Sequence, residues 1–305
     1  MKRLCCCITL LCSSINGLAQ RDLLLVRGPA GAEAFEATFE AQAEHWRRAT
    51  DHPDFRLTEA FKREEIRAYL KAPPREGPLW IVFIGHGTFD GKTAKFNLQG
   101  PDLSDREWEE LLKPLEREII LVNTSAGSAP FLKALAAENR VVLTATRSGH
   151  ETSYAHLGEF LAPAFNAMDA DFDKDGRVAL LEAFIHASRR VEEFYAEEGR
   201  IQTEHALLDD NGDGKGTQGD WFIGVRPDLA KLKKAKPDGY RALQIYLAPE
   251  PDSGLTDAQR KERDHLERKL FTLRDQKSEL SEQVFYERLE ALLTRLNTFY
   301  PPPSE

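Results

Sequence analysis

Twelve residues, Asp171 to Glu182, read DFDKDGRVALLE, and their chemistry is oxygen ligation of a hard cation. Asp171, Asp173 and Asp175 place carboxylates at loop positions 1, 3 and 5, and Gly176 permits a sharp turn at position 6. Arg177 offers its main-chain carbonyl, Ala179 leaves its place to water, and Glu182 closes the set with two oxygens. This order meets the pattern D-x-[DN]-x-[DN]-G-x5-E at every required position, and calcium is the cation that such an all-oxygen set suits. The bland reading is an acidic surface turn. It does not call for a helix on each side, whereas the sequence predicts an entering helix over Leu157–Met168 and a leaving helix over Leu180–Glu197.

A second acidic stretch, DDNGDGKGTQGD, repeats part of the pattern. Asp209, Asn211, Asp213 and Lys215 fall at positions 1, 3, 5 and 7, and Asp220 stands where a longer Glu would reach an ion better. Gly216 sits at the usual apolar position. A weak Ca²⁺ site and an Asx-turn loop are equally good readings here. The 38-residue offset from Asp171 to Asp209 permits the two loops to pair.

Different chemistry is spelled by IVFIGHGTFDG and VNTSAGSAPF. His86 lies between two glycines directly after the most apolar run of the chain, and Gly87 could leave amide N–H groups open to an oxyanion. Thr124 and Ser125 offer hydroxyls after another apolar run. Further on, Arg147 could hold a carboxylate or pair with Glu151, with His150 hydrogen-bonding nearby. The structural alternatives are a packed histidine, hydroxyls that satisfy turn amides, Ser128 as a helix cap, and surface charge.

The elements that must position these residues alternate between strand and helix. Leu23–Val26, Phe55–Leu57, Leu79–Ile84, Glu118–Asn123 and Val141–Thr146 read as strands, with a hairpin strand at Ala94–Leu98. Helices are expected over Ala32–Arg48 and Glu59–Leu70, after the Ser104/Glu107 capping box, and between the last two strands. Runs such as LWIVFI suit strands buried on both faces. The alternation predicts an α/β fold with a mostly parallel sheet and helices on both faces. In such sheets sites lie off the carboxyl ends of the strands, where His86, Thr124 and Arg147 fall.

The His86-Gly87 pair after one buried strand, and the turn Asn123-Thr124-Ser125-Ala126-Gly127 after the next, resemble the caspase–hemoglobinase fold, legumain-like peptidases in particular. The resemblance spans roughly residues 23 to 165. It implies His86 as base and position 124 as nucleophile, but Thr124 replaces the family's cysteine. A thiol ionises readily beside a histidine, whereas a threonine hydroxyl must lose its proton during attack. Two function classes follow. One is an inactive peptidase relative that binds calcium through the EF-hand-like loop and acts in recognition or assembly on a peptide or protein partner. The other is a hydrolase, peptidase or esterase, using His86 with Thr124 or Ser125.

The ends of the chain differ from its middle. Residues 1–19 carry Lys2 and Arg3, an apolar run and small residues before Gln20, the features of a secretory signal peptide, so the chain is expected to be exported, periplasmic or secreted. All four cysteines lie there, which leaves the mature chain, residues 20–230 and beyond, without disulfide, thiolate ligand or thiol nucleophile. Residues 231–254 read as a charged linker with an edge strand at Arg241–Ala248. Residues 255–305 read as a helical hairpin that docks on the main domain or on a partner. With 41 Lys and Arg against 50 Asp and Glu, a net charge of −9 argues against nucleic acid or an anionic membrane as the main partner. No stretch of the mature chain is long and apolar enough to span a membrane.

Overall fold

A computed structural model describes residues 21–72, 77–232, 236–248 and 254–300. The expected signal peptide, and parts of the expected linker, lie outside the described residues. The strands are β1 (Arg21–Arg27), β2 (Phe55–Ala60), β3 (Leu79–Ile84), β4 (Gly87–Phe89), β5 (Ala94–Phe96), β6 (Leu103–Ser104), β7 (Ile119–Asn123), β8 (Arg140–Thr144), β9 (Leu207–Asp209), β10 (Thr217–Gln218), β11 (Phe222–Ile223) and β12 (Arg226–Pro227). The helices are α1 (Glu33–Ala49), α2 (Arg63–Lys71), α3 (Asp105–Leu112), α4 (Ala129–Leu135), α5 (Leu157–Ala164), α6 (Leu180–Glu197), α7 (Leu229–Leu232), α8 (Asp257–Asp275) and α9 (Glu282–Leu296).

The main sheet has seven strands in the order β10-β9-β8-β7-β3-β1-β2. Five consecutive strands, β8-β7-β3-β1-β2, run parallel, and β9 and β10 add an antiparallel edge beside β8. Alternation along the strands loads both faces. Leu23, Leu25, Trp80 and Val82 pack with Phe39 and Trp46 of α1 and with α5 and α6. Leu24, Val26, Ile81 and Phe83 pack with Ile66 of α2, Trp108 of α3 and Phe131 of α4. Strands covered on both faces need the unbroken apolar runs that the sequence carries. The chain is therefore α/β with a mostly parallel sheet, and among the described residues no helix is long and apolar enough to cross a membrane.

Several expected boundaries move. The helix expected from Glu59 begins at Arg63, because β2 continues to Ala60 in register with β1, and Glu59 pairs with Arg27 and Arg47 instead. The Glu65 carboxylate then accepts the N–H groups of Phe61 and Lys62 and caps α2. The helix expected over Leu157–Met168 stops at Ala164, one residue past Pro163, and a 3-10 turn covers Met168–Ala170. Ser128 is not a side-chain cap: its hydroxyl faces Thr146 Oγ1 and accepts the Thr146 N–H. The edge strand expected at Arg241–Ala248 is a 3-10 turn, Ala242–Gln244, with one antiparallel bridge from Tyr246 to Ala179. The Asp210 carboxylate turns the chain there by accepting the N–H groups of Arg241 and Ala242.

The sheet's two ends hold different chemistry. β3, β7 and β8 deliver residues 85–87, 124–128 and 145–151 to the carboxyl end. The acidic loops lie at the amino end. There Arg21, which opens β1, donates to the Tyr246 carbonyl, and Arg241 reaches the carbonyls of Glu138, just before β8, and Arg140, its first residue.

Candidate functional site

At the carboxyl end, β3 and β7 are neighbours, so His86 and Thr124 follow adjacent strands. Gly87 is needed for close approach, since a Cβ there would lie 2.2 Å from the Ala126 carbonyl oxygen. The imidazole of His86 is half-buried, edge-on to Phe35 and Phe39 with centroids 4.9 and 5.1 Å away. Its Nε2 is 2.9 Å from the Ala30 carbonyl oxygen. A carbonyl only accepts, so Nε2 carries a proton.

The hydroxyls are committed elsewhere. Thr124, 5% exposed, donates to the Phe83 carbonyl at 2.7 Å. Ser125, 1% exposed, donates to Asn123 Oδ1 at 2.6 Å. Each hydroxyl has one proton, and each gives it to an acceptor other than histidine. Among the described residues no hydrogen bond joins His86 to Thr124 or Ser125.

Arg147 and Glu151 do pair, with Nε 3.3 Å from Oε1. Glu151 is the hub of this end. Its Oε2 accepts the N–H groups of Arg147 and His205, and its Oε1 lies 2.7 Å from His205 Nδ1. That contact places a proton on His205 Nδ1. His150 packs edge-on against Phe89. His205 escapes a sequence reading because 54 residues separate it from Glu151. Its neighbour Glu204, 1% exposed, accepts the N–H groups of His156 and Leu157 at the start of α5, and burial pushes its carboxyl up to about 7.

At the amino end, Asp171, Asp173 and Asp175 bring one carboxylate oxygen each within 4.8 Å of one another. Asp171 Oδ2 accepts the Gly176 N–H, Asp173 Oδ1 that of Asp175, and Asp175 Oδ1 that of Arg177. These bonds wind the loop and point its carboxylates inward. Lys174 takes the left-handed conformation (φ 65°) and Gly176 follows at 85°. Asp171 Oδ1 is buried and has no hydrogen-bond partner. Glu182 differs from expectation. It is 1% exposed, and its Oε1 accepts the N–H groups of Phe172 and Asp173 while Oε2 accepts that of Ala179. Oε1 has thereby used both lone pairs, Oε2 keeps one, and burial pushes this carboxyl upward.

The second loop is wound alike. Asp209 Oδ2 accepts the Gly214 N–H, Asn211 Oδ1 that of Asp213, and Asp213 Oδ1 that of Lys215. Its closing residue does not close it, because Asp220 is 61% exposed and pairs with Lys231. Asp209 Oδ1 is occupied by the Gly212 N–H. The described bridges do not pair the loops with each other; Ala179, within the first loop, bridges to Tyr246 instead.

No protein-family model matches this chain, and no curated protein matches it in sequence.

Proposed function

We propose that the chain is an exported calcium-binding α/β protein, a relative of the caspase–hemoglobinase fold whose carboxyl-end site recognises a peptide or protein partner without cutting it. One observation carries the calcium reading. Three aspartate oxygens converge within 4.8 Å, and beside them Asp171 Oδ1 is buried with no partner. A buried carboxylate oxygen without a donor is costly, and a cation satisfies it directly. The donor set is all oxygen, which suits Ca²⁺ over softer metals. Asp171, Asp173, Asp175, the Arg177 carbonyl and Glu182 would hold the ion. Glu182 would contribute through Oε2, and through Oε1 only if the Phe172 and Asp173 amides let go.

The non-catalytic reading is supported by where the hydroxyl protons go. An activated nucleophile needs its proton aimed at a base. Here Thr124 and Ser125 aim theirs at Phe83 and Asn123, and His86 aims its Nε2 proton at Ala30.

Calorimetric titration of Ca²⁺ into the calcium-stripped chain tests the first part. One site with a sub-millimolar Kd is expected, weakened strongly by Glu182→Gln. Absence of binding up to millimolar Ca²⁺, the range of weak extracellular modules, would overturn it. A peptide and ester panel tests the second part, and turnover abolished by His86→Ala would show a hydrolase.

A further inference from the structure

Residues 236–248 form a strap along the amino end of the sheet, gripped on one side by the first acidic loop and on the other by the C-terminal hairpin. On the loop side, the Leu180 N–H donates to the Ile245 carbonyl at 2.7 Å and Ala179 bridges to Tyr246. The Tyr246 hydroxyl donates to Asp175 Oδ2 at 3.1 Å. The Arg177 guanidinium lies 3.6 Å from the centre of the Tyr246 ring and donates to the Ala248 carbonyl. On the hairpin side, Gln244 Nε2 donates to the Asp264 carbonyl and to Glu267 Oε2, and Arg268 donates to Gln244 Oε1. Tyr240 stacks on Phe271 with centroids 5.3 Å apart and planes 15° off parallel, and its hydroxyl donates to Asp275.

We infer that Tyr246 is a positioning residue for the cation loop, and that through the strap ion binding and hairpin docking strengthen each other. This rests on the calcium reading above. Asp175 is the link between loop and strap. Its Oδ1 accepts from Arg177 and its Oδ2 from Tyr246, so both oxygens are oriented by a donor while each keeps a lone pair for an ion. Partners of this kind orient metal ligands, and removing one typically lowers affinity about 10- to 100-fold. An ion that holds Asp175 in place holds the acceptor of Tyr246, and with it residues 244–246. Gln244 and Tyr240 are the strap's contacts with α8, so the hairpin meets a firmer surface. Linkage requires the reverse as well: a docked hairpin must raise ion affinity by the same factor that the ion raises docking.

The test uses the full chain. Amide hydrogen exchange of α8 is followed with saturating Ca²⁺ and with chelator, alongside calorimetric Ca²⁺ titration of wild type, Tyr246→Phe and Phe271→Ala. Exchange in α8 should slow severalfold with Ca²⁺ in wild type. Tyr246→Phe should raise the Kd about tenfold and remove most of the calcium effect on α8. Phe271→Ala leaves every loop residue in place and weakens docking, and it too should raise the Kd. If wild type binds no Ca²⁺, the calcium reading and this coupling fall together. If wild type binds but α8 exchange ignores the ion, or if both variants bind as tightly as wild type, the coupling alone is overturned.

Discussion

The two acidic loops share a winding and part company at their ends. In each, a side-chain oxygen of the first residue accepts from the glycine at position 6, one of the third from the N–H at position 5, and one of the fifth from that at position 7. Position 4 is left-handed in both, Lys174 at φ 65° and Gly212 at 75°. The last position separates them. Glu182 turns inward and ties the loop to the first turn of α6, whereas Asp220 turns outward to Lys231. Neighbours differ too. The second loop contributes its own Asp210 to a buried pair with Asp238, which accepts from Arg241, Ala242, Thr217 and the Asp210 N–H. Asx-type winding is therefore common to both loops; the closing residue and the unpartnered Asp171 oxygen are what separate them.

Breaking Glu182 should have the largest effect. Glu182→Ala leaves the buried Ala179 N–H and the half-exposed N–H groups of Phe172 and Asp173 without their acceptor, so a loss of about 2 kcal/mol is expected in urea denaturation even with chelator present. A cost no greater than that of Asp220→Ala would erase the contrast between the loops. Next comes the ion. At 100 times its Kd, Ca²⁺ should add ~2.7 kcal/mol to unfolding free energy. Asp173→Asn should remove most of this gain and Asp213→Asn little of it; equal losses would make both loops cation sites.

Protons should matter where the ion does not. Burial, with the nearby Asp210 charge, pushes the Asp238 carboxyl up to about 8. A carboxyl whose folded pKa is raised contributes stability that is full below its unfolded value, near 4, and is lost as pH rises toward about 8. Asp238→Asn should flatten that slope by on the order of 2 kcal/mol between pH 5 and 8. Urea midpoints at the two pH values check it, and an unchanged slope would mean the pair is not the titrating group. The smallest effect is expected from Asp220→Asn, within about 0.5 kcal/mol, since an exposed ion pair contributes little.

Much of the fold could be read directly. The apolar runs Leu79–Ile84 and Ile119–Asn123 are central strands, and α6 begins and ends where the loop pattern and its apolar face place it. Polar edge positions misled: Glu59 looks helical, yet it lies in β2 because arginines from β1 and α1 meet it there. The site residues were legible as local spellings, His86-Gly87 or Asp-x-Asp-x-Asp-Gly. Their partners were not. His205 for Glu151, Asp238 for Asp210 and Tyr246 for Asp175 each lie tens of residues away with no motif of their own. Periodicity and spacing report what is near in sequence, and these pairs are made by the sheet.

The bond from Arg21 to the Tyr246 carbonyl spans 225 residues. It joins the first strand of the sheet to a segment synthesised after every other strand is complete. Closing so long a span costs entropy that earlier local pairings do not, and such contacts come late in folding. A growing chain can therefore assemble β1, β2 and β3 and wind the Asp171 loop while Asp175 still lacks its tyrosine. The last hydrogen bond to Asp175 is made only once residues 244–248 have arrived.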